Sequence, residues 1–200
     1  MKPGIRIRCI VPVVLAAALS GCAAERSPLI LDASLRPEEI DEVLVLPVID
    51  ARPSRFDQVQ VARNVGDATV RFLRERGYFT LAADHFRERP SSPLDLHVAG
   101  PEQLLPLAPE DSRFFMLVQV ERLEPGVDAT EQTYDARLAA VLVDRAHARV
   151  VWRDVVTASS SLSGMLTVFS RGSRQYEAAV NASRALVESL PNKAAKGDKR

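Results

Sequence analysis

Val43-Leu44-Val45-Leu46-Pro47-Val48-Ile49 is a continuous apolar run rich in β-branched residues. It is too short for a helix and reads as a strand buried on both faces. Pro47 lacks an N–H and pushes it towards a sheet edge or a strand end. A helix follows over residues 58 to 76. Val61, Val65, Ala68, Phe72 and Leu73 recur at three- and four-residue steps and make one apolar stripe. Asp57 is placed to cap its start, Arg71, Arg74 and Arg76 load its last turn, and Gly77 stops it. Tyr78 to Ala82 then reads as a second strand. Strand, helix, strand is the unit that pairs strands in parallel through a right-handed crossover.

The rest of the chain extends this unit. Residues 83 to 110 are irregular and proline-rich, with a short helix expected at Glu102 to Leu105. Phe114 to Val120 (FFMLVQV) is the next strand, and residues 121 to 131 read as a polar turn region. Tyr134 to Val143 and Val150 to Thr157 flank Asp144 to Arg149 and form a hairpin of two long strands, with Trp152 expected to anchor the core. A final helix spans about 171 to 190, its buried stripe read as Tyr176, Ala179, Val180, Ser183, Leu186, Val187 and Leu190, and Pro191 stops it. The expected fold is α/β, an α+β sandwich. It has a mixed sheet of about five strands with helices packed on it, in the order β-α-β-(α)-β-β-β-α.

The amino terminus is read separately. Lys2, Arg6 and Arg8 precede the uncharged run Cys9 to Leu19. This is the layout of a secretory signal. The apolar run is well short of the ~20 residues that span a bilayer as a helix. Leu19-Ser20-Gly21-Cys22 follows and looks like a bacterial lipobox, with cleavage after Gly21 and acylation of Cys22. More than one acyl chain is needed for a stable anchor. Ala23, rather than Asp, follows the cysteine, which by the sorting pattern of such proteins implies the outer membrane and its periplasmic face. The domain division is a signal over 1–21, a lipidated tether over 22–40, one α/β domain over 41–191 and a disordered basic tail over 192–200. Leu29 to Leu31 could pair on a sheet edge.

Composition narrows the function. The chain has 26 basic and 26 acidic residues, and removal of Lys2, Arg6 and Arg8 leaves 23 against 26. A mildly acidic mature protein argues against nucleic acid as a partner. The only cysteines are Cys9 and Cys22, so the mature domain has no disulfide and no thiol chemistry. The glycines have no phosphate-cradling spacing. His85, His97 and His147 are isolated, without the converging ligands that a metal needs. Asp84 and His85 could join a serine of Ser159 to Ser163 as a triad, but no nucleophile elbow is present. The carboxylates Glu38, Glu39, Asp41 and Glu42 read as a solvated face. No catalytic residue, metal ligand or cofactor is assigned.

One stretch points outward. Met165, Leu166, Val168 and Phe169 form an apolar segment between a serine run and a charged helix start. It folds back as a cap on the core, or it is exposed and meets a partner, since contiguous apolar surface marks interfaces.

The order of these elements carries a resemblance. Lipobox, the VLVLPV strand, a helix ending Arg-Gly-Tyr, FFMLVQV, a hairpin whose second arm is ARVVW, and a final helix ending Leu-Pro resemble the lipoproteins of a domain-of-unknown-function family that includes a surface-antigen candidate. The pattern is similar, more distantly, to the curli-secretion lipoprotein, to lipoprotein activators of peptidoglycan synthases and to the amino-terminal domain of TolB. The resemblance implies a sheet with helices on its faces and a role in binding or assembly without catalysis. With the lipobox, the expected partners are the membrane, through lipid at Cys22, and envelope proteins or copies of the chain. The alternatives are a regulator that binds a peptidoglycan synthase and an envelope hydrolase with an unrecognised site.

Overall fold

The computed structural model describes residues 25–26, 30–53, 57–88, 90, 94–126, 133–160 and 171–193. The strands are β1 (Glu25–Arg26), β2 (Ile30–Leu31), β3 (Glu42–Val45), β4 (Ile49–Asp50), β5 (Phe79–Ala82), β6 (Phe114–Pro125), β7 (Tyr134–Asp144) and β8 (Arg149–Ser159). The helices are α1 (Gln58–Glu75), α2 (Pro101–Leu104) and α3 (Arg171–Glu188). The strands form one mixed sheet in the order β1-β8-β7-β6-β3-β5, with β2 also on β8 and β4 also on β6.

The five expected strands are β3, β5, β6, β7 and β8, in the expected sequence with the helices. β3 and β5 pair in parallel across α1, Leu44 opposite Leu81. β6, β7 and β8 form an antiparallel meander. Two-residue strands β1, β2 and β4 add to this frame. The run Val43 to Ile49 is not one strand. β3 ends at Val45, and the chain resumes at Ile49 opposite Gln119. Pro47 lies in the gap, where a missing N–H costs no ladder bond.

β6 runs five residues past Val120, so the expected turn at 121 to 131 begins later. A register shift between Val120 and Arg122 re-aims the side chains there. Leu123 therefore still enters the core although Glu121, Arg122 and Glu124 flank it.

Alternation divides the sheet residues between two apolar layers. On one face Val43, Met116, Val118, Leu138, Leu142, Trp152 and Val156 pack under α1 and α3. Trp152 is fully buried there, and its indole N–H donates to Ser189 Oγ at 3.2 Å. On the other face Phe115, Leu117, Val141 and Val155 lie under the segment that carries Leu96, Leu104 and Leu107. The α3 stripe differs in detail: Tyr176 is 47% exposed and Val180 only half-buried, while Ala178 and Ala182, outside the expected stripe, are buried. Asp57 does not cap α1 with its side chain; it pairs with Arg52 at 3.3 Å instead. Arg52 is buried and also meets Asp50 at 2.6 Å, and this double pairing draws Asp57 away from the helix N–H groups. Gly77 has φ of 87°, the left-handed conformation that ends a helix without a Cβ penalty.

Candidate interaction surface

β5 is the last strand of the sheet, and no described strand pairs with its outer side. Its side chains alternate in an unusual sense. Thr80 is 1% exposed, whereas Phe79 is 60% and Leu81 44% exposed. The reason lies in α1. Arg74 donates from Nε to Thr80 Oγ1 at 2.8 Å and from Nη2 to the Thr80 carbonyl at 3.2 Å. Thr80 therefore faces the helix layer, and Phe79 and Leu81 must face the other way. Leu44 lies opposite Leu81 on β3 and is half-buried against the second apolar layer. Arg74 takes the outward Thr80 carbonyl, but the strand carries no lysine, proline or bulge of the kind that usually protects an exposed edge.

Leu44 also lines a cleft of about 640 Å³ at the carboxyl end of β5, with Ala83, Asp84, His85, Arg87, Pro109 and Glu110. Arg87 and Glu110 close one wall through a 2.7 Å ion pair between exposed side chains. Edge and cleft therefore form one continuous surface, apolar at Phe79 and Leu81 and charged at its rim.

The three histidines have separate settings. His85 lines the cleft. His97 Nε2 meets Glu121 Oε1 at 2.5 Å, and Glu121 Oε2 accepts from Arg137 Nε at 2.9 Å. His147 Nδ1 meets Asp144 Oδ2 at 2.6 Å in the turn between β7 and β8. His97 and His147 thus each have one carboxylate partner, which linear spacing did not indicate. Among the described residues no group of three histidine or carboxylate side chains is placed to hold a metal ion.

Ser159 and Ser160 do not reach His85. They lie at the end of β8, four strand spacings from β5, or about 19 Å at ~4.8 Å each. Ser159 Oγ donates to Asp135 at 2.6 Å, and Ser160 Oγ accepts the Tyr134 N–H at 3.0 Å. Glu38, Glu39 and Asp41 are exposed, with Glu39 3.7 Å from Arg36. Leu19, Ser20, Gly21 and Cys22 lie outside the described residues, as do Met165, Leu166, Val168 and Phe169. The exposed pair on β5 was missed in the sequence. The available signal was Thr80 between two large apolar residues, beside an arginine six residues upstream.

No family model matches the chain, and no curated protein matches it significantly. Solved structures do. The PelC dodecamer from Paraburkholderia phytofirmans is 16% identical, with 84% of this chain and 97% of that chain covered and a TM-score of 0.50. The lipoprotein GNA1162 from Neisseria meningitidis is 20% identical, with 63% and 90% covered and a TM-score of 0.43. A protein from Xanthomonas campestris of the DUF330 family is 14% identical, with 82% and 89% covered and a TM-score of 0.45. The chain is distantly similar in structure to bacterial lipoproteins. At these identities the likeness concerns fold. Among the described residues no helix is long and apolar enough to cross a membrane.

Proposed function

We propose that the chain is a non-catalytic, lipid-anchored subunit of an outer-membrane assembly, working through protein contacts that include contacts with copies of itself. The observation that carries this reading is the β5 edge, on which no described strand pairs, with Phe79 and Leu81 exposed beside it. Such an edge is a template for association unless something covers it. The PelC structure of similar fold is a dodecamer, which supports self-association. Cys22, acylated after cleavage of Leu19-Ser20-Gly21, would hold the assembly at the periplasmic face. Met165, Leu166, Val168 and Phe169 are proposed as a second contact.

The test uses the full chain expressed in a Gram-negative host with a labelled fatty acid, followed by membrane fractionation and native mass spectrometry. The wild type should carry label, fractionate with outer membrane and be oligomeric. Cys22→Ser should lose the label and the membrane. Phe79→Lys with Leu81→Lys should give smaller species with an unchanged Tm, because both side chains already face solvent. An unlabelled wild type, or a monomeric one, would count against the reading.

A further inference from the structure

The pairing of the first described residues limits how the domain can stand on a membrane. Glu25 pairs with Thr157 and Arg26 with Val156; Ile30 pairs with Arg153 and Leu31 with Trp152. Both pairs are antiparallel to the same strand and differ by one residue in register. The chain therefore runs along β8 from its carboxyl end towards the β7–β8 turn. Asp32 N–H continues the path, donating to the Val151 carbonyl at 2.9 Å. Cys22 precedes Glu25 by three residues, and three residues span at most about 10 Å. The sequence alone read residues 22–40 as a tether. The pairing of Glu25 and Arg26 leaves two residues, Ala23 and Ala24, between Cys22 and the sheet.

The register identifies what lies at that end of the sheet. Ser159 is opposite Asp135 and Ala158 opposite Ala136. Glu124 is also opposite Asp135, and Pro125 opposite Tyr134. The far end holds the turn Asp144 to Arg149, and with it Arg113, whose carbonyl accepts the Arg145 N–H at 2.9 Å. β3 and β5 run parallel to β6 and begin towards this far end. The last described residue, Lys193, is pinned beside the start of β5, its N–H donating to the Arg76 carbonyl at 3.1 Å. β7 has 11 residues, so the two ends are separated by roughly 37 Å.

We infer that the Pro125–Tyr134–Ser159 end of the β6–β7–β8 meander rests against the lipid surface, with the strands leading away from it and the Asp144–Arg149 turn and Lys193 at the distal end. This rests on acylation of Cys22 as set out above. The orienting element is the short connection. A long flexible linker would let the domain tumble, since reach grows with linker length. The β5 edge and its cleft then lie to one side of the standing sheet, facing neighbours anchored in the same plane rather than the bilayer.

The test uses the acylated full chain in vesicles of phosphatidylethanolamine and phosphatidylglycerol that contain a headgroup-quencher lipid. Cys9 leaves with the signal and Cys22 is blocked, so one introduced cysteine takes a fluorophore cleanly. Glu124→Cys labels the proximal end and Ala146→Cys the distal turn; both side chains are exposed. The Glu124 label should be quenched several-fold more strongly. A flexible ten-residue insertion after Ala24 should largely remove the difference. Equal quenching, or stronger quenching at Ala146, would overturn the orientation while leaving the anchor intact. A difference that survives the insertion would overturn the short connection as its cause. A chain that carries no acyl group and does not float with vesicles would remove the anchor and this inference together.

Discussion

The Tyr78 hydroxyl donates to the Pro191 carbonyl at 2.6 Å, joining positions 113 apart in the chain. Arg76 donates to the neighbouring Leu190 carbonyl, and Lys193 Nζ donates to the Ile40 carbonyl at 2.5 Å. Together they strap the end of α3 to the α1–β5 turn and to the residues before β3. Pro191, just beyond the end of α3, supplies one of the strap's three carbonyl acceptors. Tyr78→Phe keeps the buried ring and removes only the donor, so it should cost about 1 kcal/mol. Urea unfolding of the wild type and the variant measures it. No loss would mean that the strap is decoration on an already fixed helix.

The same hydroxyl predicts an alkaline limit. Burial pushes the Tyr78 phenol up to about 12, with Arg76 pulling in the opposite direction. The ordinary value is 10.0. Below about 10 both folded and unfolded chains hold the proton, and the contribution is fully present. Above it the unfolded chain releases the proton first, so stability falls as pH rises towards 12. Tm should decline over this window, and the Tyr78→Phe variant should decline less. Parallel curves for the two proteins would remove Tyr78 as the cause.

Gly77 makes a third prediction. Its φ of 87° lies where a Cβ crowds the carbonyl that follows. Gly77→Ala should destabilise by about 1–2 kcal/mol, and Gly77→Asn by less. Equal stabilities for the three proteins in denaturant titration would show that the turn can relax.

These residues also show what the sequence made legible. The β3–α1–β5 unit and the β7–β8 hairpin were readable because burial there follows period. One apolar stripe repeats at helical spacing, and each of the long strands carries a run of apolar residues. β2 answers to the edge pairing expected of Leu29 to Leu31, whereas β1 has two residues, too few for any pattern, and exists only because β8 offers an edge. The end of β6 was hidden by Glu121, Arg122 and Glu124, whose polarity resembles a turn, while the register shift kept Leu123 inside. Asp57 looked like a cap because the sequence does not tell that Arg52 folds back onto it. The β5 edge was readable as a strand but not as an edge, since the order of strands in the sheet is set by long-range pairing.

Arg153 sits on β8, on the face away from α1 and α3. Its Nη1 donates to the His97 carbonyl at 2.8 Å and its Nη2 to the Ala99 carbonyl. One guanidinium thus fastens the segment before α2 over the second apolar layer, and His97 is held again from its ring by Glu121. Burial lowers the Arg153 pKa from its ordinary value, with Asp95 pulling it back up. Planar geometry lets one arginine serve two carbonyls, which a lysine ammonium on its single stem does not reproduce. Arg153→Met should cost about 2 kcal/mol, as hydrogen bonds to a charged donor do, and Arg153→Lys should recover only part. The loss should be local before it is global. Amide exchange at Leu96 to Gly100 should accelerate, while the β6–β7 core at Leu117 and Val141 stays protected. Unchanged exchange over Leu96 to Gly100 in the Met variant would mean that the segment is held by Leu96 and Leu104 in the apolar layer, with Arg153 adding nothing.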